Sequence, residues 1–519
     1  MMSIIKTIAL CGLITEPVFV ETDIAQGLPA LNLVGLPGTT VRESKERVRS
    51  AILNADAQFP LRRITVNLSP AGARKEGSHF DLPIAVGILT AAGLAGDGSV
   101  SDSAFLGELS LDGTVNRIGM AVAFVLGLKE SGVRQIYLPA ENVEEVKPIS
   151  DMTYFPVRNL RELIAHLKGE ELIAPVHSDG HAFEPLPCGD TEEYGDYADV
   201  RGQEAAKRAF LICAAGCHGL SLCGPPGTGK SMLAGRLPTI LPGLTEEESI
   251  EVTKLHSIAG VTEEGEAGKL TRKRPFRAPH HNITSVALIG GGSAANPGEL
   301  TLAHRGILFL DELPEFDART LDMLRQPLEN GYVDLSRADK KYRHPCRFIL
   351  VTAMNPCPCG YYGDPMHCCT CSDSRRRRYL GRISGPLLDR IDLHFYLTAV
   401  AEQELYGDAK SLSSAEMLAE VLRAREVQRV RYEGTDISVN GELSSDCVEE
   451  FCPLSGEAEQ LLMDAHRRFG LSARQGHRIR KVARTIADLA DVPGEIQTAH
   501  VAEALGYRRR DLLTGTGVF

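Results

Sequence analysis

The sequence has no uninterrupted apolar run of the roughly 18 residues that a membrane-crossing helix requires. A membrane span is therefore not expected. The opening stretch MMSIIKTIALCGLITEPVFV is apolar but broken by Lys6 and Glu16, and no small-residue cleavage site follows a continuous apolar core. It does not read as a signal peptide. Nor is positive charge in excess: 68 acidic residues outnumber 56 basic ones, for a net charge of -12. That argues against a protein that coats nucleic acid through overall charge, but not against one with a local basic channel. No repeat at solenoid periods is found. The 13 cysteines are too few for a disulfide scaffold in a chain of 519 residues. The expectation is a cytoplasmic protein, in which a tight cysteine cluster points to metal or redox chemistry.

What is present is ordinary globular material. Hydrophobic residues make up 43% and charged residues 24%, enough to build several cores. The length points to two to four domains. In the first block, residues 1–172, short β-like runs such as RITVNLSP and RQIYLPAEN mix with helical ones. Residues 173–195, rich in Pro, Gly and acid and without hydrophobic period, read as a linker. Residues 196–400 carry buried strand runs separated by helices, an α/β pattern. Residues 401–519 carry helical periodicity and predict an all-helical domain.

Residues 196–400 open with a phosphate loop. SLCGPPGTGKSML holds Gly224, Pro225, Pro226, Gly227, Thr228, Gly229, Lys230 and Ser231 in the spacing G-x-x-x-x-G-K-S, between a strand-like and a helix-like run. Glycines let backbone N–H groups wrap phosphate oxygens, Lys230 reaches the β- and γ-phosphates of ATP, and Ser231 holds Mg2+. GILFLDELPEF delivers Asp311 and Glu312 to a strand end, Asp311 for Mg2+ and Glu312 to polarise the attacking water. A chance Gly-rich turn and a capping acid pair are the plain alternatives, and the co-occurrence of the two motifs argues against both. RFILVTAMN ends in Asn355, placed to orient that water or simply to end a strand. In ISGPLLDRIDLHF, Arg390 stands between two acids. It sits either in a local ion pair or in a neighbouring subunit's site.

These motifs follow one another as in AAA+ ATPases. Together with RPFRAPHH, GELTLAHRGILFLDELPEF, NPCPCGYYGDP and LSARQGHRIRKVARTIADL, the chain resembles the magnesium-chelatase-like YifB/ComM family over nearly its whole length. By that resemblance Arg390 is an arginine finger and Arg474 a sensor-2 arginine on a helical lid. Arg201, Gly202 and Gln203 border the adenine. The family works as rings, expected here as homo-hexamers, so each site needs two subunits. The fold class implied is multidomain α/β: a Lon-protease-like α+β domain, a central AAA+ domain and a C-terminal helical lid.

LGELSLDGTVNRIGMAVAFVLGLKESGVRQIYLPAEN is similar to the proteolytic domain of Lon, where a Ser–Lys dyad cuts peptides. In RKEGSHFDLP, His79 falls at about the nucleophile position and Ser78 one place off. After NRIG the chain reads MAVAF with no lysine, and Lys129 lies too far along. A protease-like fold without protease chemistry is expected.

In NPCPCGYYGDPMHCCTCS, two C-x-C pairs, Cys357/Cys359 and Cys369/Cys371, converge if the segment between them reverses, which Gly360, Gly363, Asp364 and Pro365 favour. Four thiolates select Zn2+ in a structural clip. Reduced buried thiols and a redox switch are the alternatives, and Cys346 and Cys368 are spare candidate ligands. For gripping a polymer, GYVDLSRADKKYRHP reads as a hairpin with its turn near Ala338 and Asp339, crowding Arg337, Lys340 and Lys341 at the tip. TSVALIGGGSAANPGE is a Gly-rich insertion, and related helicases point both segments into the pore. Arg375 to Arg378, with Tyr379 able to stack, offer a further basic face or a solvated helix surface.

The resemblance implies an ATP hydrolase: a ring-forming DNA motor acting on single-stranded or branched DNA in recombination, with recombination proteins as possible partners and natural transformation as one setting. The alternatives are a protein-remodelling ATPase and a magnesium-chelatase-type motor subunit.

Overall fold

The computed structural model describes the chain except residues 1, 73, 95–99, 179–190, 262–269, 293–294, 338–339, 365, 401–410 and 509–519, and the side chains of 336–341. The chain divides into two compact units that interleave along the sequence. The first holds residues 1–184, 246–271 and 293–296, and the second holds 185–245, 272–292 and 297–519. Among the described residues no helix is long and apolar enough to cross a membrane.

The first unit is built on a mixed eight-stranded sheet. Its strands run in the order Val176–His177, Thr153–Val157, Gln135–Pro139, Ser103–Phe105, Met2–Cys11, Ile14–Ala25, Arg63–Ser69 and Ala30–Val34. Alternation explains Arg63–Ser69: Ile64, Val66 and Leu68 turn inward while their neighbours are more accessible. The helix Asp81–Ala91 is buried along its whole length, which matches its unbroken apolar sequence. Gly87 makes this possible, because a Cβ there would lie 2.7 Å from Thr22 Oγ1. The helix Glu246–Ala259 packs within this unit on Ala121–Glu130.

The second unit carries a parallel sheet of five strands: β1 (Leu220–Cys223), β2 (Phe276–Arg277), β3 (Ile307–Leu310), β4 (Ile349–Met354) and β5 (Leu393–Tyr396). Their order is β5-β1-β4-β3-β2, and every neighbouring pair is parallel. β1, β3 and β4 are buried at every residue, as central parallel strands covered on both faces must be. Beyond the sheet, the helices Ser414–Arg431, Gly456–Phe469, Ala473–Leu489 and Thr498–Gly506 follow in sequence. Side chains of these helices join the core that covers β1, β3 and β4. The observed class is mixed α/β with a parallel sheet and C-terminal helices.

Candidate functional site

β1 ends at Cys223, and the loop 224–229 then passes into the helix Lys230–Gly235. Gly227 and Gly229 hold φ of 78° and 86°, the left-handed region that glycine enters without steric cost. Gly224 is required for a different reason: a Cβ there would stand 2.6 Å from the Leu397 carbonyl oxygen beyond β5. Lys230 Nζ donates to the carbonyls of Gly224 and Pro225 at 2.8 and 2.7 Å. Burial lowers the Lys230 pKa, and it pushes the neighbouring Cys223 thiol up to about 12.

The acidic motif lies beside this loop. Asp311 follows β3 directly, and Ser231 Oγ donates to Asp311 Oδ2 at 2.7 Å. Residues 80 apart in sequence thus put a hydroxyl and a carboxylate side by side, the donor set a hard divalent cation prefers. Glu312 sits in the left-handed region at φ 51°, and its N–H donates to Asp311 Oδ1 at 2.8 Å. Its Oε2 lies 3.3 Å from His281 Nδ1. Sequence reasoning did not single out His281, although it lies in the string RPFRAPHH. Its ring also lies 4.1 Å from that of His280.

Asn355 follows β4 between the phosphate loop and the acidic strand, and the Gly224 N–H donates to the carbonyl of adjacent Met354 at 3.2 Å. Arg201, Gly202 and Gln203 lead into the helix Glu204–Gly216, and Gln203 Nε2 donates to the Thr398 carbonyl at 2.8 Å. That bond ties this segment to the chain just past β5.

Arg390 takes the local pairing. Its Nη2 donates to Glu329 Oε2 at 2.6 Å and its Nη1 to the Pro386 carbonyl at 2.8 Å. The side chain is only 13% exposed, while that of Arg474, 3.6 Å from Glu329 Oε1, is 76% exposed. Arg390 holds the Glu329 carboxyl below its usual range. The Ala473–Leu489 helix grips the rest of this segment. Gln475 Nε2 donates to Asp389 Oδ1 at 2.8 Å. Arg478 Nη1 donates to the Arg390 carbonyl at 2.7 Å and to Asp392 Oδ1 at 2.6 Å. Burial raises the Asp392 pKa, but Arg478 and His218 overcome it and hold the carboxyl well below its ordinary value.

The cysteine segment closes as its glycines predict. Gly360 and Gly363 have φ of 88° and 80°, and Asp364 Oδ1 accepts from the N–H groups of Met366 and His367 at 2.7 and 3.1 Å. The sulfurs of Cys357, Cys359, Cys369 and Cys371 all lie within 4.8 Å of one another. Cys346, which is buried, and Cys368, which is exposed, are not members of this group. The Sγ···Sγ distances are 3.3 Å for Cys357–Cys359, 3.6 Å for Cys357–Cys369 and 3.5 Å for Cys359–Cys369. A zinc tetrahedron with Zn–S arms of about 2.3 Å has edges of about 3.8 Å, so the donor set fits that ion.

Other expectations fare differently. Tyr379 is buried at 7% exposure, so it offers no stacking face. Arg375, Arg377 and Arg378 are exposed on the helix Asp373–Leu380, whereas Arg376 lies over the Tyr362 ring at 4.0 Å. The hairpin is present, with Tyr332–Arg337 paired to Lys340–Pro345. Its turn residues 338–339, and the side chains of Arg337, Lys340 and Lys341, lie outside the described residues. The Gly-rich segment forms the helix Ser285–Ile289 and a two-stranded pairing of Gly290–Gly291 with Asn296–Pro297. In the first unit, Ser78 Oγ bonds Glu108 and Lys129 Nζ bonds Ser150 Oγ at 3.0 Å. His79 is buried with Nε2 on the Ile8 carbonyl at 2.9 Å. These residues form no Ser–Lys dyad with one another.

A parallel sheet in this order, with a phosphate loop and an acidic strand end side by side, has the architecture of AAA+ nucleotide-binding folds. Residues 196–405 match the family described as magnesium chelatase, subunit ChlI. Residues 20–142 match subunit ChlI of Mg-chelatase, and 411–508 match the C-terminal part of magnesium chelatase subunit ChlI. The chain is 40% identical to the competence protein ComM of Haemophilus influenzae over 509 residues, 98% of this chain and 97% of that one. It is equally identical, at 40% over 514 residues, to the protein YifB of Salmonella typhimurium, covering 99% and 98% of the two chains. A magnesium-chelatase subunit ChlI from Cyanophora paradoxa is 30% identical over 182 residues, 31% of this chain and 52% of that one. The chain belongs to the YifB/ComM family of magnesium-chelatase-like AAA+ ATPases.

Proposed function

We propose that this protein is a ring-forming, ATP-driven DNA motor acting on single-stranded or branched DNA, of the helicase or branch-migration kind. The observation that carries the ATPase part is the 2.7 Å bond from Ser231 to Asp311, which brings the two halves of a nucleotide site together beside Lys230. The DNA part is supported by the competence protein among the relatives and by the basic residues of the hairpin sequence.

In this reading Lys230 leaves the Gly224 and Pro225 carbonyls for the β- and γ-phosphates of ATP, and backbone N–H groups of residues 227–230 wrap the same oxygens. Ser231 and Asp311 hold Mg2+, which neutralises phosphate charge when bound. Glu312, steadied by His281, accepts a proton from the attacking water as the bond between the β–γ bridging oxygen and the γ-phosphorus breaks and ADP leaves. Asn355 orients that water. Arg390 and Arg474 share Glu329 and therefore lie on one side of the subunit. In a homo-hexameric ring they complete a neighbour's site, exchanging Glu329 for phosphate oxygens. Arg201, Gly202 and Gln203 border the adenine. The pore hairpin, with Arg337, Lys340 and Lys341, grips the phosphate backbone without reading sequence. Residues 1–172 are a Lon-protease-like domain without proteolysis, and Cys357, Cys359, Cys369 and Cys371 hold a structural Zn2+.

The test is a labelled synthetic four-way DNA junction incubated with ATP and purified protein, beside Lys230→Ala. Wild type is expected to resolve the junction into forked duplexes and the variant to leave it intact. ATP hydrolysis without junction resolution by either protein would remove the DNA role. The protein-remodelling and chelatase-subunit readings would then be tested with unfolded protein and with a metal-free porphyrin.

A further inference from the structure

The cysteine loop leaves β4 at Asn355 and touches the phosphate loop. The contact is between Gly360 and Pro226. A Cβ on Gly360 would stand 2.6 and 2.7 Å from Pro226 Cδ and Cγ, so the proline ring rests on backbone that only a glycine leaves open. Gly360 also has φ 88°, which a side chain would strain. This glycine belongs to the same turn as two of the clustered cysteines, because its N–H donates to the Cys357 carbonyl at 2.9 Å. Cys357 is fully buried. On its far side the loop is tied to β5 through the Tyr396 hydroxyl, which donates to the Tyr362 carbonyl at 2.9 Å.

The Cys357–Gly360 turn therefore faces two ways: its thiols toward the sulfur cluster, its glycine toward the phosphate loop. We infer that Zn2+ held by Cys357, Cys359, Cys369 and Cys371 controls nucleotide affinity, by fixing the turn on which Pro226 rests. The inference deepens the zinc and ATP-site readings above and rests on both. The physical reason is short-range. Four thiols at these distances without a metal are joined only by weak S–H contacts, whereas a bound ion cross-links residues 357 and 371 and stiffens everything between them. A phosphate loop binds through backbone N–H groups, so its affinity depends on where that backbone is held.

The experiment uses the full chain, with zinc measured by mass spectrometry and the dissociation constant of a fluorescent ATP analogue measured on the same samples. Wild type is expected to hold about one zinc per chain. Gly360→Ala, which removes no thiol of the cluster, is expected to keep its zinc and to bind the analogue roughly tenfold to a hundredfold more weakly. Cys369→Ser is expected to lose zinc and affinity together. Cys368→Ser, outside the cluster, should change neither. Because a variant can fail to fold, wild type is also stripped with a zinc chelator, dialysed and assayed in fresh Mg2+; affinity should fall, and return when zinc is added back. If the stripped protein binds the analogue as tightly as the loaded one, the coupling is overturned while the zinc site stands. If wild type neither contains nor takes up zinc, the proposal falls with the metal reading. If zinc is present but no protein binds the analogue, the ATP-site reading fails instead.

Discussion

Arg390 donates to Glu329 of its own chain at 2.6 Å, and Arg474 stands on the other oxygen of the same carboxylate. One acid therefore holds both arginines that the family resemblance assigns to nucleotide sensing. In the ring reading the phosphates of a neighbouring site compete with Glu329 for them.

Arg390→Ala should lower the ATP hydrolysis rate roughly a thousandfold with nucleotide binding intact. Mixing Arg390→Ala with Lys230→Ala subunits should restore part of the rate, since each supplies what the other lacks. Mixed rings that are shown to form and yet stay inactive would sink the shared-site geometry.

Glu312→Gln should bind ATP normally and hydrolyse it about a hundredfold or more slowly. His281→Ala should also lower kcat, by a smaller factor, with the affinity for ATP unchanged, because His281 pairs with Glu312. Steady-state kinetics beside equilibrium nucleotide binding separate the two effects. A loss of affinity in His281→Ala would place that residue in nucleotide binding instead.

Arg478 serves two acceptors in the segment that bears Arg390. Arg478→Leu removes the guanidinium from the buried Asp392 carboxylate, leaving His218 and Lys481 near it, which should cost about 3 kcal/mol of stability and loosen the hold on Arg390. The expected readout is a lower Tm together with a reduced kcat. A change in neither would mean that the pair contributes nothing.

Burial lowers the His79 pKa from 6.5 to about 4, with the Ile8 carbonyl only partly opposing it. Between these values the unfolded chain binds a proton that the folded chain refuses. The contribution to stability is therefore complete above the unfolded value and is lost as pH falls from 6.5 toward 4. At about 1.4 kcal/mol per pKa unit the loss approaches roughly 3 kcal/mol. Denaturant unfolding followed through the first unit should show this slope in wild type and a shallower one in His79→Phe, whose ring suits the flanking Phe80 and Phe124, each 4.3 Å away. Equal slopes would assign the acid sensitivity to other groups.

Much of the site was legible because its signals are local. The glycines before Lys230 announce a loop that must enter left-handed backbone, and the four apolar residues before Asp311 announce a buried strand. The two C-x-C pairs announce a cluster, since the glycines between them permit a reversal. His281 escaped notice because a histidine pair in a loop has no spacing that marks it. Tyr379 was misjudged because the arginines before it look solvent-facing, while its own burial depends on what packs against that helix.

By itself, then, the sequence determined the strand and helix segments, the phosphate loop, the acidic strand end and the cysteine pairs, all of which follow from steric and hydrophobic rules acting over a few residues. Only the tertiary structure decided that Ser231 meets Asp311, that Glu329 meets Arg390, that Gly360 lies under Pro226 and that Glu246–Ala259 joins the first unit. Those contacts join residues tens to hundreds of positions apart. They arise from how separate elements pack and bury one another, which no local pattern encodes.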